Sequence, residues 1–342
     1  MSHGQQDTWV VKLDASGEIE WERSYGGSDS EAAFSFQQTS DGGFIVAGST
    51  RSTDGDVTEY LGDWDMWVLK LDGAGAIEWQ RSMGGSGEDG ASSIQQTNDG
   101  GYIVSGSTTS SDGDVDQNQG SSDYWVVKLL GNGEIEWQKT YGGPSSDGPR
   151  TIEQTGDGGY IIAGSTNSSS GDITNYNGGW FDQWVVRLDQ YGTLLWEKAM
   201  GGSADDRVGG MCSSLDGGYV VVGFSNSDDG DVTSLFPGYD LWVVKLATDP
   251  TAIIETSEDL SIFLHPNPVI DGLTISLAID DPSFTVIQIV NSTGQLIMDI
   301  VNKNMPVGEH KILISTEDLP AGVYYVHAIG AGAASMTRFV KL

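Results

Sequence analysis

Cationic side chains are scarce in this chain: 16 lysines and arginines stand against 49 aspartates and glutamates in 342 residues, a formal charge of -33 at pH 7. Such a surface repels phosphate backbones and anionic headgroups, which makes nucleic acid and acidic membrane surfaces poor partners; cations and neutral polymers fit better. Cysteine is nearly absent. The single Cys212 can form no internal disulfide, so cysteine usage is silent on the redox compartment, and the residue is expected as a small buried side chain in a strand. Histidine is as rare: His265, His310 and His327 lie near the carboxyl end and His3 at the start, so the long middle offers no Ser-His-Asp or Cys-His pair and no histidine metal site. No apolar run approaches the length of a membrane span, so no transmembrane segment is expected. Nor is there a signal peptide, because Met1-Ser2-His3-Gly4 leads at once into the middle of a repeat, and the natural amino terminus is expected upstream.

What the chain has in abundance is glycine, 48 residues, and tryptophan at a fixed interval: Trp9, Trp67, Trp125, Trp184 and Trp242 recur at spacings of 58, 58, 59 and 58. A period of this length marks a propeller or solenoid, whose units bury their apolar faces only against their neighbours. In the second copy the runs Ala91 to Thr97, Tyr102 to Thr108, Tyr124 to Leu129 and Glu134 to Tyr141 read as four strands, a to d. The a-to-b connection holds Asp-Gly-Gly beginning at Asp41, Asp99, Asp157 and Asp216, which is expected as a two-residue hairpin turn. The c-to-d connection places Gly17, Gly75, Gly133 and Gly192 four residues before a second tryptophan, Trp21, Trp79, Trp137 and Trp196. On strand c, Trp67, Leu69 and Leu71 share one face and Val68 and Lys70 the other.

Regular tight hairpins argue against a parallel solenoid, so the expected fold is all-β, a β-propeller of four-stranded blades of about 58 residues with four to five blades in the chain. The ring reads as truncated, because the chain begins with c and d (residues 7–25), carries three complete blades to about residue 202 and ends with a, b and c. Gly100-Gly101-Tyr102-Ile103-Val104-Ser105-Gly106, Asp123-Tyr124-Trp125-Val126-Val127-Lys128-Leu129 and Glu136-Trp137-Gln138-Lys139 together resemble secreted propeller repeats of the Bacteroidetes, and the kelch order of glycine pair, Trp strand and second Trp. The stretch Leu13-Asp14-Ala15-Ser16-Gly17-Glu18-Ile19-Glu20-Trp21 is similar to the tryptophan-docking turn of quinoprotein-like propellers, one residue shorter. These likenesses imply a fold and leave activity open.

The tryptophan period stops after Leu246, which divides the chain into propeller repeats at 1–247, a polar linker at 248–260 and a second domain at 261–342. There, His265-Pro266-Asn267-Pro268, Leu273-Thr274-Ile275-Ser276-Leu277, a hairpin around Asn291-Ser292-Thr293-Gly294, Leu319-Pro320-Ala321-Gly322-Val323-Tyr324-Tyr325-Val326 and Arg338-Phe339-Val340-Lys341-Leu342 read as six or seven strands of an immunoglobulin-like β-sandwich. In this order they resemble the type A sorting domain of the type IX secretion system, with Pro266, Asn267, Pro268, Gly322, Tyr324 and Lys341 carrying the likeness. The resemblance implies the secretion machinery as partner, export across the outer membrane, removal of this domain, and an extracellular or outer-surface location. The plainer alternative is an adhesive or spacer module.

Strand alternation sends the b-to-c and d-to-a loops to one end of every blade, and that end is the expected ligand face. Two ligand chemistries are open there. Asp54 and Asp56, Asp112, Asp114, Asp116 and Asn118, Asp172, and Asp229 and Asp231 offer alternating oxygens suited to Ca²⁺, although no bidentate Glu closes any loop and Ser170 replaces the first Asp of the third; Asx turns explain the recurrence equally. Tyr60, Trp64, Tyr176, Trp180, Phe181, Phe236 and Tyr239 could stack on sugar rings or anchor their own loops. Asp7, Asp65, Asp123, Asp182 and Asp240, two residues before each strand-c Trp, are expected to be structural because they do not vary, whereas chemistry needs one particular acid and one particular base. Arg51, Arg81, Arg150, Arg187 and Arg207 show no pattern of a convergent triad. The leading expectation is a non-catalytic binding or adhesion module for glycan or protein, with calcium the only cofactor suggested. The alternatives are a polysaccharide hydrolase or lyase using a carboxylate pair, and a passive spacer.

Overall fold

The computed structural model describes residues 4–214, 217–232, 238–247, 262–279, 283–291, 296–330 and 333–342. His3, Asp216, Phe236, the 248–260 linker and residues 292–294 of the expected hairpin lie outside them. The chain forms two compact units, Met1–Ala247 and Thr248–Leu342.

In the first unit every element is a strand. β1 (Thr8–Leu13) and β2 (Ile19–Tyr25) pair alone. Three four-stranded antiparallel sheets follow: β3 (Glu31–Gln38), β4 (Phe44–Thr50), β5 (Asp65–Leu71) and β6 (Ile77–Met83); β7 (Asp89–Gln96), β8 (Tyr102–Thr108), β9 (Asp123–Leu129) and β10 (Ile135–Tyr141); β11 (Asp147–Gln154), β12 (Tyr160–Thr166), β13 (Asp182–Leu188) and β14 (Leu194–Met200). A three-stranded sheet of β15 (Asp206–Ser213), β16 (Tyr219–Ser225) and β17 (Asp240–Leu246) ends the unit. The strand order a, b, c, d read from the tryptophan period is the order found.

The Asp-Gly turns differ from expectation. Thr39 N–H donates to the Gly43 carbonyl and Gly42 N–H to that of Thr39, closing a three-residue loop, Ser40-Asp41-Gly42, rather than a two-residue one. Gly42 takes the left-handed φ of +85° that this geometry needs, and the Asp41 carboxylate caps the Gly43 N–H. Cys212 is in β15 but exposed, because only the opposite face of this last strand a packs on its neighbour.

Sheets stack through strand c, so β5, β9 and β13 are buried along their whole length on both faces. Lys70, on the second face of β5, is buried with its ammonium 2.9 Å from Asp41 and 2.8 Å from Glu78. The strand-d tryptophans tie sheet to sheet: Trp21 Nε1 donates to Gly73 O and Trp79 Nε1 to Gly131 O, each in the c-to-d turn of the next repeat. First strands are stapled likewise, with Gln96 N–H donating to Gln37 Oε1 and Gln154 N–H to Gln95 Oε1.

In the second unit, β18 (Ile262–His265), β19 (Gly272–Ile279), β20 (Ser283–Asn291), β21 (Leu296–Met305), β22 (Gly308–Ser315), β23 (Gly322–Gly330) and β24 (Ala333–Lys341) make two antiparallel sheets, β18-β19-β22 and β21-β20-β23-β24. Alternate residues of both, among them Leu273, Ile275, Ile287, Ile289, Val326 and Phe339, form one core.

Candidate functional site

Each first strand of the repeat sheets carries a β-bulge at the same place. The register slips between Ala33 and Ser35, Ala91 and Ser93, Pro149 and Thr151, and Val208 and Gly210. The extra residues are Phe34, Ser92, Arg150 and Gly209, and all four line one cavity of about 660 Å³. A bulge breaks the ladder and re-aims a side chain, which is why bulges gather beside functional sites. Here the repeat is least uniform: an aromatic ring, a hydroxyl, a guanidinium and no side chain occupy equivalent positions. Ser107, Arg150 and Gly209 also line an adjoining cavity of about 570 Å³, whose other walls include Phe181, Arg207 and Phe224. Trp64 lines a third, of about 360 Å³, with Glu88 and Ser107.

The expected aromatic ligands divide into two groups. Tyr60 and Tyr176 anchor their own loops, donating to Asp63 O and Gly179 O respectively. Trp64 lies under the Arg51 guanidinium at 5.5 Å, and Phe181 under that of Arg207 at 4.1 Å. Tyr239 meets Phe224 edge-on at 5.3 Å and donates to Asp205, which also pairs with Arg207 at 2.9 Å. Phe181, Arg207, Asp205, Phe224 and Tyr239 therefore form one cluster, whereas Trp180, 74% exposed, stacks on no other ring among the described residues. The sequence named Arg150 only among arginines without a convergent pattern and did not single out Phe34 or Phe224, because positions 2 and 3 of strand a vary as well (Ala32, Gly90, Gly148 and Arg207; Ala33, Ala91, Pro149 and Val208).

The loop acids act as clamps. Asp54, Asp112 and Asp229 accept the backbone N–H of Ser28, Ser86 and Ser203, each at 2.7 Å, and Asp56, Asp114, Asp172 and Asp231 accept those of Gly26, Gly84, Gly142 and Gly201. Each pair of residues fastens a b-to-c loop to the d-to-a loop beside it, which confirms that these loops share one end of the sheets. Asn118 accepts from Gly120 in its own loop and Asp116 is exposed. Among the described residues no group of three or more His, Cys, Asp or Glu side chains is arranged to hold a metal.

Carboxylate pairs do occur, but in three equivalent copies. Asp65, Asp123 and Asp182 are fully buried, each accepting one loop N–H, from Leu61, Gln119 and Asn177. Each has its second oxygen unpartnered. Facing them are Asp89, Asp147 and Asp206; a methyl placed on Gly142 would lie 2.3 Å from Asp123 Oδ1 and 2.7 Å from Asp147 Oδ2, so only glycine fits between the two. Burial, against the opposing N–H and with help from the facing acid, pushes Asp65 and Asp123 up to about 6 and Asp182 to about 7. The facing acids take more donors: Asp147 accepts from Gly143 N–H and from the hydroxyls of Thr166 and Ser168, and Asp206 accepts from Gly202 N–H and the Ser227 hydroxyl on one oxygen, its other oxygen unpartnered.

At the carboxyl end the motif residues meet across the sequence. Asn267 donates to Arg338 O and accepts from Val340 N–H, fixing the Pro266-Asn267-Pro268 turn to β24, and Val269 pairs beside Lys341. Tyr324 stacks on Phe339 at 5.5 Å and donates to Pro320 O; Lys341 is buried with its ammonium on Leu342 O, and Gly322 opens β23.

No helix among the described residues is long and apolar enough to cross a membrane. No curated protein matches the chain. A similar solved structure is that of PorZ, described as an essential bacterial surface component of the type-IX secretion system of Porphyromonas gingivalis; it is 11% identical, with 96% of this chain and 41% of that one covered and a TM-score of 0.30. The present chain thus spans under half the length of that protein. Residues 263–341 match the secretion system C-terminal sorting domain family, and the chain is accordingly a cargo of type IX secretion, handed to that machinery by its second unit and delivered to the cell surface or the extracellular space.

Proposed function

We propose that residues 1–247 are a β-propeller and residues 261–342 an immunoglobulin-like sorting sandwich, and that the propeller is a non-catalytic binding module for an extracellular glycan or protein at its long-loop end. The observation that carries this reading is the cavity shared by the four bulges. A repeat that only spaced two objects apart has no reason to set an aromatic ring, a hydroxyl, a guanidinium and no side chain at equivalent bulge positions around a common cavity, whereas a ligand site breaks repeat symmetry. The cluster around Phe181 supplies aromatic surface in the adjoining cavity, and Trp180 exposes its ring in the long loop just before it. The carboxylate pairs give a hydrolase little support, since they recur alike in three sheets and are buried.

The test is binding of the full chain to a broad panel of glycans and extracellular proteins, with calcium and with chelator. Saturable binding that weakens in Trp180→Ala is expected. Silence from a folded sample favours the spacer, and turnover of a polysaccharide favours the hydrolase. Loss of binding in chelator would assign calcium to the loop acids.

A further inference from the structure

We propose that the bulge-lined cavity receives a carboxylate-bearing sugar, its carboxylate paired with Arg150 and its ring packed against Phe34; this rests on the ligand-binding reading above. Charge sets Arg150 apart from its neighbours. Of the arginines at or beside these cavities, Arg51 and Arg207 each sit within 3.0 Å of a carboxylate oxygen. Arg150 does not. Its side chain is exposed on the cavity wall and, among the described residues, its guanidinium makes no hydrogen bond or ion pair. A planar fork of five donors held out on a bulge suits two-point contact with a carboxylate supplied from outside. Arg207, which lines the adjoining cavity, is already neutralised by Asp205 and covered by Phe181, so it cannot take that part.

The lining points the same way. Ser35, Ser49, Ser93, Ser107 and Thr151 line the same cavity as Arg150, so it offers hydroxyls able both to donate and to accept. Phe34, 65% exposed, offers the flat apolar surface on which the C–H face of a pyranose packs. One cation, many hydroxyls and one ring match a uronate-type sugar better than an acidic peptide, whose backbone would seek an unpaired strand edge or a row of amides.

The experiment is calorimetric titration of the full chain with oligogalacturonate and alginate fragments, with their carboxyl-reduced neutral counterparts, and with a glutamate-rich peptide. Acidic fragments are expected to bind at least tenfold more tightly than their reduced forms. In Arg150→Ala that preference disappears while the thermal midpoint is unchanged; Arg150→Lys retains part of it, and Phe34→Ala weakens acidic and reduced forms alike. Equal binding of acidic and reduced forms, or an unaltered preference in Arg150→Ala, overturns the carboxylate assignment and leaves glycan binding standing. Binding of the peptide alone overturns the sugar. Silence toward every saccharide, acidic or neutral, overturns it together with the glycan reading beneath it.

Discussion

Asp65, Asp123 and Asp182 hold carboxyls that the folded chain prefers to keep protonated, because burial raises them to about 6, 6 and 7 from an ordinary value near 3.8. With the folded-state values above the unfolded ones, the native state binds more protons between about pH 4 and pH 7, and stability falls as pH rises through that window. A second group works the other way at lower pH: Asp99 and Asp157, where burial is outweighed by the hydroxyls of Thr97 and Thr155 and by Lys128 and Arg187, fall to about 2 and lose their stabilising effect only below pH 4. A thermal midpoint that peaks near pH 4 to 5 and declines toward pH 8 is therefore expected. Asp123→Asn separates this from general charge repulsion. Its amide oxygen can still accept from Gln119, and its NH₂ faces Asp147, so the variant should melt above the parent at pH 8 and converge with it near pH 5. Melting curves that stay parallel across that range would show that Asp123 does not titrate as described. The sequence placed an invariant acid two residues before each strand-c Trp and marked it structural. It could not display the facing acid, which lies 24 residues further on (Asp147 after Asp123) and is brought close only when strand a folds beside the end of strand c.

Among the elements, the c-to-d turn shows how two glycines of one motif come to differ in worth. Gly133 has a φ of +84° and its absent Cβ would lie 2.8 Å from the ring of Trp79, whereas Gly17, with a φ of +87°, has nothing within 4 Å. Both positions penalise an L side chain for the left-handed backbone, by about 1 kcal/mol. Only Gly133 adds the cost of overpacking, about 1–3 kcal/mol. Gly133→Ala should consequently lower the denaturant midpoint clearly more than Gly17→Ala, and equal losses would mean that Trp79 does not dock on that turn. Strand order and the positions of the turns were legible because they repeat, although the Asp-Gly loop has three residues rather than two. The bulges were not, since one extra residue in a strand leaves no mark in the polar and apolar alternation, and Phe34, Ser92, Arg150 and Gly209 share no side-chain property that a motif could capture. Arg150 and Arg207 gave no sign of convergence for the same reason: they occupy different positions of strand a, fourth in β11 and second in β15, and meet only through the adjoining cavity.

For the whole molecule, a stack of sheets derives its stability from each interface between neighbours, so a residue's worth depends on where in the stack it falls rather than on its place in the repeat. Trp9 and Trp125 are the same letter of the same sentence, yet Trp9 is 64% exposed and Trp125 is completely buried. Leu241 and Val243 of β17 are likewise exposed, while Tyr124 and Val126 at the same positions of β9 are buried. The sequence repeats the same letters in every copy; the difference in burial arises from which sheets have a neighbour on both sides. Trp125→Ala should cost about 3–5 kcal/mol by deleting a close-packed indole from the middle of the stack. Trp9→Ala should stay within about 0.5 kcal/mol, as surface substitutions do. Chemical denaturation of the two variants followed by tryptophan fluorescence measures both. A large loss in Trp9→Ala would mean that this face is covered in solution, by the chain itself or by a second copy, and sedimentation of the parent and the variant then decides between those two, because only a second copy changes the mass.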